Sequence, residues 1–414
     1  MLSFVVLLAT AAQPQCSWTP VSLSPQPLAG KCTPLVDDHT PATPSASKGI
    51  PWTQPLYCAT IEVAEKFCVY SSSTFNDGSG ISLIAKPETA AGVVGVIQDP
   101  MPAWRSRRHI APSGCPRIKL DDLSYTVIPV PGKGLGVVAT RRITQLETIM
   151  TSFPAIIADN ELFPSDEDER PARADRLFQR ALDQLPDQER FLSLARSKGE
   201  GVHPVDDVIR TNAFGITVDG RDMKGLYPEI AEQNWGSRLT PSSAYSRFTT
   251  KDLAMSVLAT RDIEPGEEIT ISYVPLGITT TQRTRKLSNW GFNCSCELCS
   301  APPEAREASD QRRERMVEVY YAMQDESTSY NTLVELTREF IKLAQVERLL
   351  AKVGEYYQAL MRIYYGFGDA ETARKYGQAS LKFAEIFSDP DGGFCAGIRR
   401  DLRQLNEELS ERRN

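Results

Sequence analysis

Between Arg261 and Ser300 the chain sets two unlike signals close together. The first is a tight Pro265-Gly266 turn between two segments of alternating apolar residues, Leu253 to Leu258 and Glu268 to Tyr273. Alternation on either side of such a turn predicts a hairpin-like pair of strands ending on the tyrosine. The second is a C-x-C-x2-C cluster of Cys294, Cys296 and Cys299, preceded by Trp290 and Phe292. Three thiols this close cannot all pair with one another as disulfides, but they can face one metal ion. The two rings can close over a ligand.

The rest of the chain is ordinary enough to fold around such a block. It has 414 residues, 41% hydrophobic and 24% charged, which allows two or three domains with buried cores. A formal net charge of -7 and the lack of a basic stripe argue against direct nucleic-acid binding. Arg105, Arg107, Arg108 and His109 read as a solvated connector. Met1 to Ala12 is an apolar run ending in small residues, expected as a secretory signal peptide; a buried first strand or helix is the competing assignment. No later run reaches transmembrane length.

Residues 13–118 form a Cys/Pro-rich N-terminal region carrying Cys16, Cys32, Cys58, Cys68 and Cys115. Spaced cysteines behind a secretory signal suggest disulfides; free core thiols are the alternative. Within it Ile61 to Val63, Phe67 to Tyr70 and Ile81 to Ile84 read as short strands around an Asn76-Asp77-Gly78 turn, expected as a small disulfide-stapled β module. His39 and His109 read as surface residues.

From Tyr125 a strand leads into Pro131 to Ile143, where Gly132, Gly134 and Gly136 allow close backbone approach to a ligand. No helical pattern follows, which disfavours a dinucleotide fingerprint. Between residues 160 and 201 the period changes: an acidic Ser165 to Glu169 start precedes Leu177, Phe178, Ala181, Leu182 and Leu185 at helical spacing. Asn212, expected in a strand of apolar neighbours, needs a partner for its amide. From Pro303 onward apolar residues recur at 3.6 spacing in several helices.

The Gly266 to Tyr273 ending followed by the cysteine cluster resembles the end of a SET domain and its post-SET segment, as found in protein lysine methyltransferases. The fungal relatives of the SET-and-MYND group are the nearest in pattern, although the cysteines of a MYND finger are absent. The resemblance implies an α+β chain. Its parts are a mostly-β SET domain over 121–275 with a helical insert over 160–201, a post-SET segment over 285–302, and an all-α TPR-like domain over 303–414. In particular, Tyr357 to Leu381 resembles one tetratricopeptide helix pair.

The resemblance also implies roles. Tyr273 takes the catalytic tyrosine position. Gly134, Leu135 and Gly136 hold S-adenosylmethionine through the backbone, Phe292 stacks on its adenine, and Asn212 and Asn234 contact its amino-acid or ribose end. Glu147 fills the family's acidic turn. Zinc is expected on Cys294, Cys296 and Cys299, with Cys395, His203 or water as candidates for the fourth ligand; three free or oxidised cysteines are the alternative. The family's asparagine-histidine-serine-cysteine motif is broken: after Asn234 the chain reads Trp235-Gly236-Ser237. A displaced exon boundary would produce such a loss and recovery of similarity, and sequencing the transcript across codons 225 to 250 tests it.

The expected partner is a protein or peptide lysine, on a histone or another protein. Two further readings stay open: a SET fold that binds peptides without catalysis, and a secreted disulfide-bearing protein in which the SET part is vestigial. The N-terminus points to the secretory route, the family to nucleus or cytoplasm.

Overall fold

A computed structural model describes residues 51–61, 66–98, 123–130, 134–163, 172–194, 203–232, 243–272, 274–288 and 298–411. The first half carries β1 (Tyr57–Thr60), β2 (Lys66–Ser72), a single turn α1 (Phe75–Gly78), β3 (Ile81–Ala85), α2 (Pro87–Gly92), α3 (Val94–Gln98), β4 (Tyr125–Val130), β5 (Gly134–Ala139), β6 (Thr148–Ser152) and β7 (Ile156–Asp159). Then come α4 (Ala172–Asp183), α5 (Gln188–Leu192), α6 (Pro204–Asn212), β8 (Phe214–Val218), β9 (Arg221–Leu226), α7 (Pro228–Glu232), β10 (Ala244–Thr249), β11 (Ala254–Ala259) and β12 (Glu268–Ile269). The helices α8 (Thr280–Ser288), α9 (Pro303–Met323), α10 (Tyr330–Val346), α11 (Val353–Gly366), α12 (Ala370–Phe387) and α13 (Gly393–Glu411) complete the chain.

Among the described residues the strands form three sheets, ordered β1-β2-β3-β7-β9-β8, β10-β11-β6 and β12-β5-β4. In the largest, β3 and β7 run parallel, with Leu83 opposite Ile157. Both are buried along their whole length. Alternate side chains therefore serve two cores. Leu83 and Ile157 point to a core shared with Phe75, Ile216 and Met223. Ile84, Ile156 and Ala158 point to a second, with Leu177 and Phe178 of α4 and Val208 and Ile209 of α6. The helical insert is thus held by the apolar face that its spacing predicted.

Two expectations need correction. The N-terminal strands are not a separate module, because β3 pairs with β7 and places β1 and β2 in the same sheet as β9 and β8. The staple is present: Cys58 and Cys68 oppose each other across β1 and β2 and are disulfide-bonded. The segments either side of Pro265-Gly266 are not hairpin partners either. β11 pairs with β10 and β6, whereas β12 pairs with β5. The Ile143–Ile263 bridge and the bond from Gly266 N to the Ala139 carbonyl (2.8 Å) turn the chain from one sheet to the next.

The C-terminal helices have their own core, built on Met316, Val319, Leu333, Phe340, Leu360 and Tyr364. α11 and α12 pack so closely that a Cβ on Gly354 would lie 3.0 Å from the Ala384 nitrogen. A smaller apolar cluster joins the two halves: Leu146, Tyr245 and Leu276 meet Leu350, Ala351, Ile386 and Phe387.

Candidate functional site

The candidate site starts from the glycines of β5. Gly134, Leu135 and Gly136 pair with Val130, Pro129 and Ile128 of β4. Period two puts both glycines on one face and Leu135 on the other. Gly136 is buried, while Leu135, Ile128 and Val127 are exposed. On its second edge β5 is paired by β12 only at Val137 and Val138. Among the described residues the Gly134 to Gly136 stretch of that edge has no strand partner, and a ligand would meet backbone groups there. Two positions without a Cβ let that ligand lie against the chain. These residues fit a cofactor held mainly by backbone contacts.

Three further segments converge here. Ala139 N donates to the Glu267 carbonyl at 2.9 Å, which ties the end of β5 to the approach to β12. Ala244 N donates to the Thr270 carbonyl at 3.0 Å, and Thr270 N donates to Ser243 Oγ at 2.9 Å. The chain leaving the Asn234 segment therefore lies beside the chain leading to Tyr273. Ile271 is buried in the β core, and Ser272 Oγ donates to the Val274 carbonyl at 2.6 Å. Tyr273 itself, Asn234, Phe292, Cys294 and Cys296 lie outside the described residues.

Asn212 ends α6 instead of lying in a strand. The helix is started by His203, whose Nδ1 accepts from Val205 N at 3.2 Å, with Pro204 in its first turn. The Asn212 amide nitrogen donates to the carbonyls of Leu194 and Val208, each at 3.0 Å, and to Thr211 Oγ1 at 2.8 Å. That amide nitrogen is engaged within the protein, which leaves the side-chain oxygen as the atom with which Asn212 can meet a ligand.

Glu147 does sit in a turn, where its carboxylate accepts from Thr144 N at 3.1 Å and from Arg141 at 2.7 Å. Burial pushes its pKa up, but the Arg141 and Thr144 bonds outweigh this and hold it below the usual value.

The zinc expectation rests on Cys294 and Cys296, which lie outside the described residues, together with Cys299. Among the described residues no group of three His, Cys, Asp or Glu could hold a metal ion. Cys299 lies half-buried in a turn after α8. Cys395 is buried and disulfide-bonded, so it offers no thiolate. His203 is used as a helix cap and contacts Gln179 at 3.3 Å. Cys395 is thereby excluded as the fourth ligand of a tetrahedral site, and the Nδ1 of His203 is occupied as a cap.

A feature that the sequence reading passed over lies just beyond Tyr273. Thr279 and Gln282 cap α8 reciprocally: Thr279 N donates to Gln282 Oε1 at 3.1 Å and Gln282 N to Thr279 Oγ1 at 3.4 Å. Thr280 N donates to Asp310 of α9 at 2.8 Å, and Arg313 of α9 donates to the Ile278 carbonyl at 2.6 Å. Arg313 also donates to Glu347 at 2.7 Å, and their side chains are 2% and 3% exposed.

Residues 134–274 match the family model of the SET domain. A fission-yeast protein, the histone-lysine N-methyltransferase set5 of Schizosaccharomyces pombe, is 28% identical over 211 residues, covering 48% of this chain and 56% of that protein. The histone-lysine N-methyltransferase SET5 of Scheffersomyces stipitis is 50% identical over 71 residues, covering 17% of this chain and 15% of the relative. A SET and MYND domain-containing protein of Dictyostelium discoideum is 41% identical over 51 residues, 12% of this chain and 10% of that protein. The chain thus spans little more than half the length of the first of these relatives and less of the others. It carries a SET domain over 134–274, inside an α+β fold with a helical C-terminal region.

Proposed function

We propose that the chain is a SET-type protein-lysine N-methyltransferase that uses S-adenosylmethionine. The observation that carries this reading is the SET match over 134–274. The two Cβ-free positions of β5, Gly134 and Gly136, support it. When bound, the cofactor supplies an electrophilic methyl group. The backbone of Gly134, Leu135 and Gly136 would bind it, Phe292 would stack on its adenine, and Asn234 and the Asn212 oxygen would reach its polar end. The chain's own part would be to hold a lysine nitrogen in line with that methyl group. The amine must be neutral to react, and loss of its proton on entering a dry channel suffices. Tyr273 would orient the amine by its hydroxyl, so that the reacting atoms line up. No step is assigned to zinc.

The substrate is a lysine on a protein. The relatives are named for histone lysines, which makes histone peptides the first to try. The α11–α12 pair, read as TPR-like, would offer such a peptide a groove. The test is transfer of labelled methyl from S-adenosylmethionine to lysine peptides of histone and non-histone sequence. Transfer is expected, and Tyr273→Phe should lower it roughly 100-fold. Absence of cofactor binding in calorimetry at about millimolar S-adenosylmethionine, a concentration at which even weak affinity registers, overturns the reading.

A second reading has one observation in its favour. Where the family carries His-Ser-Cys, this chain has Trp235-Gly236-Ser237. A SET fold that binds peptides without catalysis would bind a lysine peptide yet show no cofactor binding in the same calorimetry.

A further inference from the structure

The turn that ends α10 and the loop before β6 enclose a cleft that the proposed reaction does not use. Its volume is about 270 Å³, just under the roughly 300–1,000 Å³ usual for small-molecule pockets. Leu349 and Val353, at the junction of α10 with α11, give it an apolar wall, with Arg348 beside them. Gln145, Thr260 and Arg261 of the SET domain line the other side. Next to it Leu146 meets Leu350 in the apolar cluster that joins the two halves of the molecule.

Arg348 stands where a helix end favours glycine. Leu349 N donates to the Ala344 carbonyl at 3.1 Å, and Arg348 N to the Gln345 carbonyl at 3.0 Å. This pair of bonds closes a helix through a left-handed residue just past its cap, a position filled mostly by glycine. Arg348 takes that conformation with a φ of +53°, which any residue with a Cβ resists. A cation does suit the negative end of α10, but other positions in the last turn would serve that purpose without the strain.

The guanidinium is not spent inside the protein. Among the described residues it has no hydrogen bond or ion pair. The acidic neighbours are already engaged. Glu347 is turned to Arg312 and Arg313, Asp262 is paired with Arg142, and Glu267 with Arg261. Arg261 also donates to the Asp262 carbonyl at 2.9 Å. One positive charge is left over at the rim of an apolar-walled cleft.

We infer that this cleft binds a small organic carboxylate. The Arg348 guanidinium would take the carboxylate through two parallel hydrogen bonds, for which its planar fork is suited. The apolar tail would lie against Leu349 and Val353. A single left-over charge matches a monoanion better than a doubly charged phosphate, and the wall calls for a tail that inorganic anions lack. Such a ligand would touch the SET domain and the helices at once and so tighten their junction. None of the lining residues belongs to the candidate site described above, and the test needs no methyl transfer.

The test uses the full chain, with hexanoate, benzoate and phenylacetate as probes. Hexanol, which lacks the charge, and inorganic phosphate, which lacks the tail, are the controls. Binding is read by saturation-transfer NMR and by the rise in Tm, for the wild type, Arg348→Gly and Val353→Trp. At least one carboxylate should bind the wild type with a Kd of about a millimolar and raise Tm, more tightly than either control. Arg348→Gly should raise Tm slightly without ligand, because glycine accepts the left-handed turn, yet weaken carboxylate binding roughly 10- to 100-fold. Its expected gain in stability separates loss of the site from loss of the fold. Val353→Trp keeps the charge, fills the apolar wall, and should weaken binding as well. Equal carboxylate binding by the wild type and Arg348→Gly overturns the inference. So does phosphate binding as tightly as the best carboxylate, or no binding of any of the three at about 10 mM.

Discussion

The C-terminal helices bury a carboxylate at two places in opposite ways, one against the segment that follows the SET domain and one against the β10–β11 turn within it. At the first, Glu347 accepts from two arginines and a serine, and these bonds hold its pKa below the usual value despite burial. At the second, Asp389 is 1% exposed and bonded to the Thr250 backbone and hydroxyl, and burial pushes its pKa up. That seam draws its strength elsewhere, from the edge-on contact of Tyr245 with Phe387 at 5.6 Å and a bond from Arg247 to the Ile386 carbonyl at 3.3 Å. One seam ties the Ile278 carbonyl to a buried arginine; the other joins two surfaces. A buried charge is informative where its partners leave it one orientation.

The comparison can be broken most forcefully by emptying each seam. Phe387→Ala removes a ring that is 2% exposed and should cost about 3–5 kcal/mol in urea unfolding. Arg313→Met should cost about as much, roughly 3–5 kcal/mol, because it strips a buried pair of one partner. Losses this large in both would sharpen the distinction between a charged seam and an apolar one; a negligible loss in Arg313→Met would erase it. A smaller effect, about 1–3 kcal/mol, is expected for Asp389→Ala, which leaves the Thr250 donors unsatisfied.

The subtlest test is pH. Glu347 lies below its ordinary 4.5 when folded, so it contributes stability that is complete above 4.5 and is lost as pH falls through the folded value. Asp389 lies above its ordinary 3.8, so the folded state takes up that proton first. Its contribution falls as pH rises from 3.8 through the raised value. Glu347→Gln should therefore flatten the acid limb of stability, and Asp389→Asn should steepen its rise. Urea midpoints from about pH 3 to 7 give the slopes directly.

Much of the α+β architecture was legible because periodicity is local. Phe67 to Tyr70 and Ile81 to Ile84 fall inside β2 and β3, and the Leu177 to Leu185 stripe is the buried face of the insert. Pairing is not local, and there the sequence reading failed. Nothing in the alternation of residues 253–258 and 268–273 says that a bridge at Ile263 sends them to different sheets. Ile81-Ser-Leu-Ile-Ala85 did carry a clue: a nearly unbroken apolar run marks a strand covered on both faces, which a small two-sided module cannot provide. Asn212 was misplaced although the start signals of α6 were present, His203 and Pro204 followed by Asp206 and Asp207. Arg313 was missed on a readable stripe. It shares the buried face of α9 with Ser309, Met316 and Met323, where a charge implies a buried partner. For the candidate site, the glycine loop was legible as a motif, whereas the extent of pairing on the second edge of β5 depends on how far β12 reaches.

The parallel junction of β3 with β7 also sets an order of events. The Cys58–Cys68 bridge and the β2–β3 pairing close over short stretches of chain. The free edge of β3 must wait for Ile156 to Ala158, and β7 in turn waits for Met223 to Leu226. During synthesis the first strands are thus made well before the neighbours that cover them. Such long-range closure is slow and leaves an apolar edge open to other chains. Closure of the largest sheet is thus set by when β9 becomes available to β7, not by the early strands.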